Sequence, residues 1–111
     1  MDLLLNELNV DEIDSLKREI WPLLRTHKVK PLEILPFIRG LSENDIDEIT
    51  SAAKNRTQND SIDNLYEALR RRNLDCFKSF LAALLEHEYG NLWMAIMEIG
   101  KKKLSKRNHQ L

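Results

Sequence analysis

Apolar residues in this chain recur at intervals of three and four from one end to the other, and nowhere alternate with polar residues over a useful length. That pattern decides the secondary structure. A spacing of i, i+3, i+4, i+7 places side chains on one face of a helix, whereas a half-buried strand needs a period of two. Six such segments follow one another, separated by short polar breaks or by breaks that Gly and Pro mark. The 111 residues are 42% hydrophobic and include only three Gly and three Pro. That is enough chain for one packed core without a disulfide or a metal to support it. The expectation is a single all-α domain.

Asn9 and Glu12 form a capping-box pattern, so the first helix is expected over Val10–Thr26 with Ile13, Leu16, Ile20, Leu23 and Leu24 on its stripe. Pro22 lies inside it, lacks a backbone N–H and crowds the preceding turn, which predicts a kink or break near residues 18–22. Pro31 opens a short second helix that Pro36 limits and Gly40 closes. Ser42 and Asp45 start a third, with Ile46, Ile49 and Ala53 facing inward, and residues 55–59 read as a polar loop. The fourth, capped by Asn59 or Asp60, runs to Arg72 and carries Ile62, Leu65, Tyr66 and Leu69. The fifth, Leu74–His87, has the widest apolar face and is expected at the centre, with Tyr89-Gly90 ending it. The sixth runs from Asn91 to about Lys103. The core is expected to hold Leu16, Ile20, Leu35, Ile49, Leu65, Leu69, Phe77, Leu81, Leu84 and Ile96. Residues 1–100 then form the domain, and residues 101–111, which begin KKKLSKR, a basic and flexible tail.

Several function classes are disfavoured. Cys76 is the one cysteine, so no internal disulfide forms, which suits a reducing, cytoplasmic setting. The opening MDLLLNELNVDE is acidic where a signal peptide is basic, and no apolar run approaches the ~20 residues of a membrane span. His27, His87 and His109 are scattered and lack companion cysteines, so no metal site is expected. There is no GxSxG, no HExxH and no glycine-rich phosphate loop, the glycines being isolated at 40, 90 and 100. Neither catalysis nor a cofactor is expected.

Charge is more informative. The formal net charge is −1, but residues 1–69 carry a net −6 and residues 70–111 a net +5. A chain with opposite poles can attract copies of itself or a similarly polarised partner. The basic tail, with Arg70, Arg71 and Arg72, raises nucleic-acid binding as an alternative. A sequence pI near 6.3 and the lack of a basic recognition helix argue against it.

Residues 32–97 resemble a caspase recruitment domain (CARD) of the death-fold superfamily. LEILPFIRGLSENDIDEI (32–49) is similar to the second and third helices of that family with their acidic junction. LYEALRRRNLDCFKSFLAALLEHEYGNLWMAI (65–96) is similar to its fourth to sixth, and Pro22 stands where the family's first helix is interrupted. CFKSFLAALLEHEYGNLWMAI (76–96) resembles the CARDs of cytosolic RNA sensors of the RIG-I-like class, and EILPFI (33–38) that of the mitochondrial antiviral signalling adaptor. The resemblance implies a six-helix antiparallel Greek-key bundle. It implies a signalling adaptor of innate immunity or apoptosis that assembles with another CARD or with itself. A CARD-only inhibitor that caps such assemblies would read the same way. In the family's commonest contact, a basic patch from the first and fourth helices meets an acidic patch from the second and third. The corresponding residues are Lys17, Arg18, Arg25, Arg70, Arg71 and Arg72 on one side, and Glu33, Glu43, Asp45, Asp47 and Glu48 on the other. Asp11, Glu12, Asp14 and Glu19 dilute the basic side.

Overall fold

A computed structural model describes residues 2–109, and the side chains of residues 3–106. These residues form seven α-helices and one 3-10 turn, with no strand among them. The helices are α1 (Asp2–Glu7), α2 (Val10–Thr26), α3 (Pro31–Ile34), α4 (Glu43–Asn55), α5 (Gln58–Arg71), α6 (Leu74–Glu86) and α7 (Gly90–His109), and the 3-10 turn is Leu35–Phe37. Helix α5 packs on α4 and α2, α7 on α2, α6 and α1, and α3 on α4, giving a bundle of 49 × 25 × 20 Å.

The caps follow local chemistry. Asn9 accepts from the Glu12 N–H at 2.8 Å while Glu12 accepts from the Asn9 N–H at 2.9 Å. Ser42 and Asp45 make the same reciprocal pair, both bonds 3.1 Å long. Each pair satisfies two N–H groups that a helix start would leave orphaned. Thr57, rather than Asn59 or Asp60, caps α5, so the loop before it shrinks to Arg56–Thr57. Pro36 lies in a 3-10 turn that ends the α3 segment at Phe37, short of the expected close at Gly40.

The first helix is not broken at Pro22. Helix α2 runs continuously through it, and the interruption falls instead at Leu8–Asn9, where the Asn9 cap restarts the chain as α2. Pro22 is exposed, so the carbonyl it leaves without a donor can turn to water. Helices α2 and α6 end without glycine. Lys28 (φ 52°) and Glu88 (φ 69°) take the left-handed position, and Val29 and Tyr89 donate back to Leu24 and Leu84 at 3.0 Å. This is the Schellman pattern with ordinary residues in glycine's usual place. Gly90 therefore begins α7 rather than ending α6. Gly40 does need to be glycine: its φ is +91°, and a Cβ there would lie 3.2 Å from the Cys76 Cβ.

All ten residues expected in the core are buried, and Leu16, Ile49, Leu65, Phe77, Leu84 and Ile96 are fully so. Ile46, expected inward, is 37% exposed, and Leu85, part of the apolar run of α6, is 51% exposed. Residues 101–109 continue α7 instead of fraying at residue 101. Two contacts hold them. Gly100 lies against Leu4, leaving a Cβ only 2.9 Å of clearance, and the Lys103 ammonium donates to Ser15 Oγ at 2.9 Å and pairs with Glu19 at 2.6 Å.

Candidate interaction surface

The eleven charged residues singled out by the sequence fall into two groups with different surroundings. Lys17, Asp45 and Arg72 form an internal node. Lys17 is 3% exposed because it shares the inward stripe of α2 with Ile13, Ile20 and Leu24. Its ammonium donates to the Arg72 carbonyl at 3.2 Å and sits 5.5 Å from the centre of the Phe77 ring. Burial lowers its pKa, against the raising effects of Asp14 and Cys76. Asp45 is 2% exposed, on the inward stripe of α4 with Ile49 and Ala52. Arg72 donates to it through Nε at 2.8 Å and through a terminal nitrogen at 2.6 Å, and Arg71 approaches at 3.4 Å. Burial alone would raise the Asp45 pKa, but the hydrogen bonds from Ser42 and Arg72 outweigh it and hold the carboxyl below its ordinary value. No buried side-chain nitrogen or oxygen among the described residues lacks a hydrogen-bond partner. The node is thus a satisfied joint between α2, α4 and the end of α5, and its three charges have partners within the molecule.

The second group is exposed. Arg18 and Arg70 line a shallow groove with Asp11 and Asp14, between α2 and α5. Arg70 also pairs with Glu67 at 2.9 Å, an exposed i,i+3 pair of small energetic weight. Arg71 is half exposed and donates to the Glu67 carbonyl at 3.2 Å. On α4, Glu43, Asp47 and Glu48 are exposed, and Glu48 accepts from Asn44 at 3.3 Å. Glu33 lies on α3, 4.0 Å from Lys30 and 3.5 Å from the Tyr89 hydroxyl. Among the described residues, no ion pair joins Arg18 or Arg70 to Glu43, Asp47 or Glu48.

Arg25 belongs to a more elaborate arrangement. Its guanidinium donates to Asp63 at 2.5 Å and lies 5.2 Å from the Trp21 ring centre. The Trp21 indole N–H donates to the same Asp63 oxygen at 2.9 Å. Beneath it, Tyr66 stacks on Trp21 with centroids 5.1 Å apart and planes 11° apart. Trp21 and Tyr66 are half-buried and Arg25 is exposed. The apolar periodicity marks Tyr66 as core, so its place in this surface stack goes unseen. The signal was the spacing. Asp11, Asp14, Arg18, Trp21 and Arg25 recur at intervals of three and four, a second stripe about 120° round α2 from its buried one.

His27 and His87 are apart; His87 packs on Phe37 with centroids 4.3 Å apart, and the side chain of His109 lies outside the described residues. The described residues contain no group of three or more His, Cys, Asp or Glu side chains placed to hold a metal. Cys76 is buried, and burial pushes its thiol pKa up. No helix among the described residues is long and apolar enough to cross a membrane.

The described residues form an all-helical bundle whose surface carries exposed charge and an aromatic stack. The family model described as the caspase recruitment domain matches residues 15–99. The chain belongs to that family. Such domains are protein-interaction modules that associate with others of their kind in signalling. No curated protein and no solved structure shows a significant match to the chain.

Proposed function

We propose that this chain is a recruitment module of cytoplasmic innate-immune or apoptotic signalling, assembling with another CARD or with copies of itself. In this reading the basic side is Arg18, Arg25, Arg70 and Arg71 on α2 and α5. The acidic side is Glu43, Asp47 and Glu48 on α4, flanked by Glu33. One observation carries the reading: among the described residues the two exposed sets form no ion pair with each other, and the pairs that Arg25, Arg70 and Arg71 make with Asp63, Glu67 and Asp45 leave their guanidinium groups about half exposed to a further partner. Arginine forks match carboxylates bidentately, and a contact between unlike patches is heterologous, which propagates into rings or filaments. Lys17, Asp45 and Arg72, nominated with the others, act here as the scaffold that sets the end of α5.

Size-exclusion chromatography with light scattering, across concentration and salt, tests the reading. Salt-sensitive oligomers that Arg18→Glu and Asp47→Lys each abolish, and that reappear when the two variants are mixed, are the expected result. Oligomers indifferent to both substitutions would remove the charge pairing. A chain that stays monomeric alone but binds a partner CARD would fit a hetero-adaptor or a capping inhibitor.

A further inference from the structure

The face of α6 that the core leaves open is bordered by residues 37–40, and the two run side by side. Gly40 lies against Cys76, the Arg39 N–H donates to Ser79 Oγ at 2.8 Å, and the Phe37 ring packs on His87 at the far end of the helix. Between them lies an open groove of about 530 Å³, within the size range of ligand sites, and its walls include Arg39, Asp75, Lys78, Ser79 and Ala82. No residue assigned above to the charge contact lines it.

The border segment is patterned for recognition by side chains. Ile38 is extended (φ −90°, ψ 124°) and buried, so its neighbours Phe37 and Arg39 both turn outward, and Phe37 is 49% exposed. Phe and Arg are both enriched at protein interfaces. The backbone there is already engaged, because the Ile38 N–H donates to Leu35 and the Arg39 N–H to Ser79. The Arg39 guanidinium has no hydrogen bond or ion pair among the described residues. Lys78, on the helix side, donates to Asn6 of α1 at 2.6 Å instead of pairing with Asp75 three residues before it.

We infer that this groove takes a short extended segment of a partner protein that carries an apolar side chain and, two residues along, a carboxylate. Alternate side chains of an extended chain point the same way about 6.6 Å apart, which is also the separation of Phe37 and Arg39 along theirs. The apolar side chain rests on Phe37, and the carboxylate meets the Arg39 fork with Lys78 on the opposite wall. Ala82 is small and exposed, which leaves room for the segment between α6 and its border. Asp75 repels a second carboxylate at its end of the groove and so fixes where the acidic residue sits. This recognition needs no second copy of the chain and stands apart from the self-assembly reading.

The experiment is to pan a phage-displayed library of random twelve-residue peptides on the full chain and to measure the selected peptides by fluorescence anisotropy. Peptides with Asp or Glu two positions from an apolar residue are expected. Arg39→Glu is expected to weaken them at least tenfold, the usual cost of losing a hydrogen bond to a charged group. Ala82→Arg, which fills the groove from an exposed position, is expected to abolish binding. Both variants are expected to keep the wild-type melting transition and self-association, since Arg39 has no side-chain partner to lose and Ala82 faces solvent. Arg18→Glu is expected to keep the peptides while losing self-association, which separates this site from the charge contact. A library that yields no binder, selected peptides without the acidic residue, or peptides that bind both groove variants as tightly as the wild type would overturn the assignment. Loss of self-association in folded Ala82→Arg would make a second copy the occupant and overturn it as well.

Discussion

Arg70 and Arg72 stand two residues apart, the first in the last turn of α5 and the second its C-cap just beyond, and the molecule uses them in different ways. Arg72 turns inward, where it donates twice to a carboxylate that is 2% exposed. Arg70 turns to the groove between α2 and α5, beside Arg18 and two aspartates. Arg70 is still helical, whereas Arg72 has left the helix for an extended conformation, φ −99° and ψ 168°, and its side chain reaches Asp45 on α4. The same division runs through α2, where Lys17 lies inside and Arg18 outside, and through α4, where Asp45 lies inside and Asp47 outside. A run of like charges is therefore not one patch. Position on the helix decides whether a charge is structural or available to a partner.

Removing the buried carboxylate sharpens this contrast most. Asp45→Ala takes away the partner of Arg72 and half of the Ser42 capping box together. Breaking a buried ion pair costs about 3–5 kcal/mol, and because Arg72 is 34% exposed and can recover water, a loss at the lower end, about 3 kcal/mol, is expected from urea unfolding. Arg72→Ala should cost less, about 1–2 kcal/mol, since Asp45 keeps its bond from the Ser42 N–H. Lys17→Met should change stability by less than about 1 kcal/mol, because a lost hydrogen bond is offset by the desolvation no longer imposed on a buried ammonium. On the exposed side, Arg18→Glu should alter stability by no more than about 0.5 kcal/mol.

The pH dependence follows the same division. Asp45 is the carboxyl whose folded pKa is lowered, so its contribution is fully present above the ordinary value of 3.8 and is lost as the pH falls through its lower folded value. Acid unfolding of Asp45→Asn should accordingly be shallower over that range than that of the wild type. An equal slope in the two proteins would mean that the internal pair contributes nothing to acid stability.

Much of the fold was legible because helix period, caps and core are local facts. Asn9–Glu12 and Ser42–Asp45 announce their helices, and the apolar stripes place most of the core, though Ile46 and Leu85 at their edges face solvent. The exceptions have physical causes. An exposed proline in a helix leaves a carbonyl that water can satisfy, so Pro22 does not break α2. The left-handed C-caps at Lys28 and Glu88 are strained positions held by the packing of Val29 and Tyr89 on the core, and no glycine signals them. The extension of α7 depends on contacts of Gly100 and Lys103 with residues more than eighty positions away. The candidate surface was half legible. The spacing 13, 17, 20, 24 already places Lys17 on the buried stripe of α2, and 45, 49, 52 does the same for Asp45. The pairing of Arg72 with Asp45, and the stack of Trp21 on Tyr66, bring together residues 27 and 45 positions apart, which local periodicity cannot see.

Neighbouring charges here divide between buried and exposed positions, and the proposed interface draws on the exposed ones. The most direct test is to reverse Arg70 and Arg72 separately and measure thermal unfolding and light scattering on each. Arg70→Glu should melt within about 2 °C of the wild type and lose self-association, while Arg72→Glu should lose stability first. A destabilised Arg70→Glu, or a fully stable Arg72→Glu that fails to assemble, would contradict the division.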